Sequence, residues 1–298
     1  MKKTKSWTAL LLALCFLSPS ALLIACREEA TNPPNQIATD SIESVDNSDP
    51  PLQNSPPLNS ESAENAPSDS VSPPKEDSSS TPTVTPTKAT AQYIKCTGNS
   101  VNIRSGAGTD YTILGSAEEG TSYAVIGKTG NWYKTYYKNK VAYLYASYTS
   151  VFTLEKTNNE VEEVIEDGYK LLGVPYVYGA VRVHDGSGRL LGGFTTQKFD
   201  CSSLIQYIFY KASGKLLGVH TRAQVVQGEY VAPNDLQRGD CIFFTNEQRQ
   251  YNKGLERVGH VALYLGDGYI LHTASDYARI EKISKKRWSF YIEARRFL

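Results

Sequence analysis

Residues 198–214, KFDCSSLIQYIFYKASG, place a cysteine where a nucleophile would be useful. Leu204, Ile205, Ile208 and Phe209 fall on one face of a helix, and Lys211-Ala212-Ser213-Gly214 ends it. Asp200 stands at the N-cap position, so Cys201 occupies the first turn. There the unpaired N–H groups and the helix dipole favour an anion. Thiol pKa values at helix N-termini or beside an imidazolium fall to roughly 3.5–7.5, and the expectation is a reactive thiolate. First-turn N–H groups also suit an oxyanion. By helix pattern alone, a buried inert cysteine on a capped helix fits equally well.

The histidines separate the two readings. The chain has four: His184, His220, His260 and His272. Two lie in GHVALYLGDGYILHTA, which reads as a hairpin with strands at 260–265 and 269–274 around Gly266-Asp267-Gly268. A three-residue loop sets residue 260 opposite 274 and brings 272 diagonally beside 260, on the same face. Diagonal neighbours are about 7–8 Å apart, within reach of two imidazoles. Nucleophile, general base and a third group holding the tautomer form the logic of a catalytic triad. His184 is expected in solvent, in a Gly-rich loop, and His220 at the edge of the cleft.

Other elements must position these groups. Residues 158–172 read as a helix capped by Asn158 or Asn159, with Val161, Val164, Ile165 and Leu172 at helical spacing. Gly173-Val174-Pro175 stops it. Upstream, residues 91–152 alternate apolar and polar residues in short runs separated by SGAG, EEG, KTGN and KNK. About five short strands in this span predict a small all-β barrel or curled sheet.

Three separated motifs, FDCSSL, LQRGDCIFF and GHVALYLGDGYILHTA, resemble the NlpC-type cell-wall cysteine peptidases from about residue 160 to ARRF at 294–297. The resemblance implies an α+β, papain-like fold, with a nucleophile helix packed on an antiparallel sheet. It implies Cys201 as nucleophile, His260 as base and His272 as orienter. It also implies Tyr176 in the oxyanion or substrate pocket, Asp200 and Ser202 as contacts for the free amine of a stem peptide, and no cofactor or metal. The chain departs from the pattern at Ser203 (usually Gly), Arg238 (usually Pro) and Tyr178 (commonly Trp), and in an extra loop, residues 181–199. Asp240 is expected to fix a turn. VNIRSGAGTDYTILG, GNWYK and VAYLYASY look like a bacterial SH3-like domain over residues 93–150, which implies wall-peptide binding or a place beside an active site. Trp132 and half of the tyrosines are expected to fill its small core, and the alternative sets Tyr111, Trp132 or nearby tyrosines on a binding face.

The first ninety residues have a different character. Residues 1–26 combine a basic start, an apolar run broken by Ser18-Pro19-Ser20 and a small residue before Cys26. This is the layout of an export signal, and LIAC resembles the bacterial lipoprotein signal, implying acylation of Cys26 and a membrane anchor. Residues 27–90 hold no aromatic residue, eleven of the fourteen prolines, and eleven acidic against three basic side chains. Such a segment cannot bury enough apolar surface to fold, and it reads as a disordered linker of roughly 50 Å as a coil. The expected order is therefore signal 1–26, linker 27–90, SH3-like domain 91–152 and peptidase domain 153–298.

Net charge is zero, but residues 91–298 carry a surplus of five positive charges. No dense basic run or nucleic-acid motif appears, so nucleic acid is not expected as a partner. Three widely spaced cysteines beyond Cys26 do not make a disulfide scaffold, and no pair has zinc-ligand spacing. The expectation is a monomeric, lipid-anchored peptidoglycan endopeptidase on the outer face of the membrane. It would cleave the γ-D-glutamyl–diamino acid bond of stem peptides or muropeptides. Two alternatives stay open: a wall-binding lipoprotein with a degenerate peptidase domain, and an amidase or acyltransferase using the same nucleophile.

Overall fold

A computed structural model describes residues 88–298. The expected export signal, the Cys26 acylation site and nearly all of the linker lie outside these residues. In chain order, eight strands come first: β1 (Thr90–Cys96), β2 (Val101–Arg104), β3 (Ile113–Ala117), β4 (Ser122–Ala124), β5 (Gly127–Thr129), β6 (Trp132–Tyr137), β7 (Lys140–Tyr145) and β8 (Thr149–Glu155). The helices α1 (Asn159–Lys170), α2 (Cys201–Ser213) and α3 (Thr221–Gln224) follow. Then come β9 (Glu229–Val231), β10 (Cys241–Phe244), β11 (His260–Gly266), β12 (Tyr269–Ala274), β13 (Tyr277–Lys282), the short α4 (Lys285–Ser289) and β14 (Tyr291–Arg296). The architecture is the expected α+β one, helices against an antiparallel sheet, preceded by a small β module.

The strands form two sheets. One has five strands in the order β3-β2-β7-β6-β5. The other has nine, in the order β8-β1-β4-β13-β12-β11-β10-β14-β9. The second sheet departs from the sequence reading. Upstream strands β1, β4 and β8 extend the downstream sheet, joined where Ser122 of β4 lies opposite Ile280 of β13. Eight upstream strands form instead of about five, and the first begins at Thr90, inside the stretch read as linker.

One apolar core runs through both halves and contains Tyr93, Ile94 and Leu144 along with Ile165, Leu204 and Phe243. Two further devices join the halves. Tyr93 stacks on Phe152, which stacks on Tyr269 with ring centroids 4.5 Å apart. Gly173, just past α1, has φ +80°, and the Tyr137 ring fills the space a Cβ would need. Glycine is required there on both counts.

Arg238 forms the polar part of the joint. Its guanidinium pairs through two nitrogens with Glu162 of α1, at 2.6 and 3.0 Å. It also donates to the hydroxyls of Tyr93 and Tyr169 and to the Leu265 carbonyl, each at 2.9 Å. The residue is buried, and a planar fork with five donors can satisfy this many acceptors at once. The arginine that stood out in the sequence thus ties β1, α1 and β11 together.

Helix α1 forms as expected. Asn158 caps it by accepting from Val161 N–H at 2.9 Å, and Val161, Val164 and Ile165 are buried. Its Gly168 packs so closely on Leu271 of β12 that a Cβ would clash.

Candidate active site

The site begins at the first turn of α2. Asp200 is the N-cap, with extended backbone geometry, and its Oδ1 accepts from Ser203 N–H at 2.8 Å. The Asp200 N–H in turn donates to Ser203 Oγ at 2.8 Å. This reciprocal capping box satisfies two backbone donors and gives Ser203, a departure from the expected glycine, a structural role. Cys201 is the first helical residue, is buried (9% exposed), and is packed beside β11, where the Val261 N–H points to its sulfur.

The hairpin has the expected register. Leu263 lies opposite Leu271, with an irregularity at the turn, and the two histidines meet on one face. His260 Nε2 and His272 Nδ1 are 2.9 Å apart, with the rings nearly perpendicular. On the far side, His272 Nε2 lies 3.1 Å from Glu281 Oε1 of β13, a charge contact without hydrogen-bond geometry, and among the described residues this nitrogen has no hydrogen-bond partner.

The neighbouring carboxylate favours the His272 tautomer with its proton on Nε2 and a lone pair at Nδ1. In that tautomer His260 donates from Nε2, which leaves its own Nδ1 as the basic nitrogen.

Glu281 has no counterpart in the sequence reading. The available signal was the alternation in Tyr277–Lys282, where the charged Arg279 and Glu281 alternate with the buried Ala278 and Ile280. Burial alone would push the Glu281 carboxyl up. His272, Arg287 and Arg279 outweigh it and hold the group at about 2.

Burial sets the protonation of the other groups. It lowers His260 well below the ordinary histidine value, helped by His272 and Arg287. It lowers His272 too, against the opposing pull of Glu281. Burial likewise pushes the Cys201 thiol up to about 12. The Asp200 carboxylate adds to the rise, and the N–H groups of Val261 and Ser202 counter it only in part. This direction runs against the expected resting thiolate. The helix terminus favours the anion, but desolvation and an adjacent negative charge weigh more. All three shifts favour the neutral forms, a thiol at Cys201 and uncharged rings at His260 and His272.

Cys201 and His260 share a cavity of about 610 Å³ with Tyr176, Ser275 and Phe290. A second cavity of about 340 Å³ also reaches Tyr176 and Cys201 and runs past Asp200, Ser202 and His220. A groove thus crosses the sulfur from both sides. His272 and Glu281 line neither cavity and stand behind His260. Residues 173–296 match the model of the NlpC/P60 family, and residues 99–150 match that of the bacterial SH3 domain.

The chain carries an NlpC/P60 domain behind a bacterial SH3 domain.

Similar proteins include the gamma-DL-glutamyl hydrolase of Bacillus subtilis (strain 168), 32% identical over 42% of this chain and 26% of that protein. The peptidoglycan endopeptidase RipB of Mycobacterium tuberculosis (strain ATCC 25618 / H37Rv) is 32% identical over 40% of this chain and 46% of its own length. The alignments therefore span about a quarter to a half of these relatives. Among solved structures, an NlpC/P60 family protein from Bacillus cereus ATCC 10987 is 23% identical, with a TM-score of 0.37 over 70% of this chain and 64% of that one.

Within the NlpC/P60 domain, the remaining expected residues fall as follows. Tyr176 lines both cavities, and burial with the nearby Cys201 and Asp200 pushes its phenol up to about 12, so it stays a donor. Asp200 and Ser202 adjoin the sulfur, but the Asp200 carboxylate is already engaged. Its Oδ2 accepts from Arg182 at 2.8 Å and from Gly179 N–H at 3.2 Å.

His220 caps α3 and borders the second cavity. His184 is buried rather than in solvent. It accepts from Gly186 N–H and packs edge-on against Tyr210 of α2, so the extra loop is seated on the nucleophile helix. Asp240 accepts from Gln237 N–H, as a turn residue should, and also holds Arg296 through both oxygens. Cys96 and Cys241 are buried free thiols.

Proposed function

We propose that this protein is a peptidoglycan peptidase that cleaves the γ-D-glutamyl–diamino acid bond of stem peptides through a thioester on Cys201. The observation that carries the reading is the 2.9 Å contact of His260 with His272, with His260 and Cys201 on one cavity. The names of the relatives support the substrate class.

In the proposed cycle, His260 Nδ1 takes the Cys201 proton as sulfur attacks the γ-carbonyl. Because the resting pair is neutral, deprotonation accompanies attack. The Tyr176 hydroxyl and first-turn N–H groups of α2 serve the developing oxyanion. His272, backed by Glu281, stabilises the imidazolium and keeps the ring oriented. His260 returns the proton to the leaving amine, and water hydrolyses the thioester with His260 again as base. No cofactor takes part.

Export, acylation of Cys26 and the 27–90 linker would hold a monomer at the outer membrane face, within reach of the wall. Digestion of purified muropeptides, read by mass spectrometry, tests the bond. The expected products are the sugar-linked L-Ala-D-Glu fragment and the fragment that begins at the diamino acid, and cleavage at another linkage would contradict the assignment.

A second reading draws on the buried, protonated thiol: a wall-binding protein that does not turn over. It predicts muropeptide binding without any product.

A further inference from the structure

The second cavity has an unusual charge arrangement. Beside a nucleophile, a buried carboxylate such as Asp200 would ordinarily mark a seat for a cation, since a carboxylate out of water needs a positive partner. Here the partner is built in. Arg182, from the extra loop, places Nη2 2.8 Å from Asp200 Oδ2 and 3.2 Å from Ser202 Oγ. Two more of its donors go to backbone carbonyls, Nε to Val219 at 2.6 Å and Nη1 to Ala180. The guanidinium is thus clamped at four acceptors and only 18% exposed. A substrate cation could reach Asp200 only by breaking this clamp.

The rest of the cavity offers no substitute anion. Arg222 and Arg249 also line it, and both pair with the single carboxylate of Glu256, at 3.2 and 3.0 Å, leaving one positive charge in excess.

We infer that Arg182 occupies the position a substrate ammonium would take beside Cys201, so that this chain accepts stem peptides whose first residue is acylated and uncharged, in preference to peptides with a free amino terminus. The inference rests on the stem-peptide reading of the site and specifies its acyl-side half. An α-amino group, with a pKa of about 7.7–8.0, is largely cationic at pH 7 and would face a fixed guanidinium. The same residue as an amide, as when it is joined to a sugar lactyl group, meets no such repulsion. Discrimination by a built-in like charge is an effective way to exclude a competitor.

The test uses the full chain carrying Cys201→Ala, so that binding is read apart from turnover. Two probes are titrated calorimetrically, L-Ala-γ-D-Glu-L-Lys and its N-acetyl form. The N-acetyl peptide should bind at least tenfold more tightly. Arg182→Gln should shift that ratio at least tenfold toward the free amine, and Arg182→Lys should stay near the parent ratio. Equal or tighter binding of the free amine by the parent overturns the inference, and that result does not depend on any Arg182 variant folding. A ratio unmoved by Arg182→Gln also overturns it.

Turnover of the same two peptides by the wild type separates this from the reaction itself. The expected binding ratio without cleavage leaves the inference standing and removes the hydrolase. Cleavage with the opposite preference removes the inference alone. Failure of both peptides to bind removes both.

Discussion

Glu281 Oε1 stands 3.1 Å from His272 Nε2, placing a charged residue of β13 behind the two-histidine pair. Its negative charge favours a proton on His272 Nε2 and, in the proposed reaction, would balance an imidazolium at His260. Replacing Glu281 with Gln keeps the size but removes the charge and lets the side chain donate. We expect kcat to fall by roughly 10–1000-fold with little change in KM, by the logic of an orienting carboxylate changed to an amide. Steady-state kinetics on a defined stem peptide check this, and an unchanged kcat would show that Glu281 has no part in the reaction.

Acid should impair the protein in a defined order. His260 and His272 have folded-state pKa values below the ordinary 6.5. Their neutral forms therefore favour the fold above pH 6.5, and that stability is lost as pH falls toward the folded values. The slope is about 1.4 kcal/mol per pH unit for each imidazole that stays neutral. Glu281, held at about 2 against an ordinary 4.5, acts in the same direction at lower pH: its contribution is complete above 4.5 and is lost toward 2. Urea midpoints should fall between pH 6.5 and 5.5, and stability that held level or rose across this interval would contradict the assignment. kcat/KM follows the folded free enzyme, so it should stay level from pH 8 through 6.5 and decline only toward the lowered folded value of His260.

The thiol gives an independent signature. With Cys201 raised to about 12 by burial and by Asp200, alkylation of the free enzyme by iodoacetamide should be slow at pH 7 and still rising at pH 10. A plateau reached between pH 5 and 8 would mean that a thiolate–imidazolium pair pre-exists. Peptide mapping after alkylation distinguishes Cys201 from the buried Cys96 and Cys241.

Arg238→Met should destabilise the fold by about 3–5 kcal/mol, the usual cost of leaving one member of a buried ion pair unmatched. It strands Glu162 and removes donors from Tyr93, Tyr169 and the Leu265 carbonyl. Chemical unfolding measures the loss, and a change below about 1 kcal/mol would show that Arg238 is not the joint between the β module and the downstream sheet.

Local signals in the sequence located most of the site. The Asp200 cap, the start of α2 at Cys201 and the register of the His260–His272 hairpin depend on residues only a few positions apart, and each can be read as spacing. Glu281 escaped because its role depends on the β12–β13 pairing that brings it beside His272. The addition of β1, β4 and β8 to the main sheet escaped for the same reason, since strand pairing across more than a hundred residues leaves no periodic trace. His184 was misplaced because its loop is Gly-rich and polar, yet it packs on Tyr210. The burial that pushes the Cys201 thiol up was not legible, because position on a helix is visible in sequence, whereas burial is not. The same holds for Arg182, whose meaning appears only once it is seen against Asp200.

The most direct test of the central claim is the Cys201→Ala variant on purified muropeptides, compared with the wild type under identical conditions. If Cys201 is the nucleophile, hydrolysis should fall by about 10⁴-fold or more, as it does when a nucleophile is removed from a triad, while the variant still unfolds at the wild-type urea midpoint within about 1 kcal/mol. Equal product from the two proteins would contradict the account.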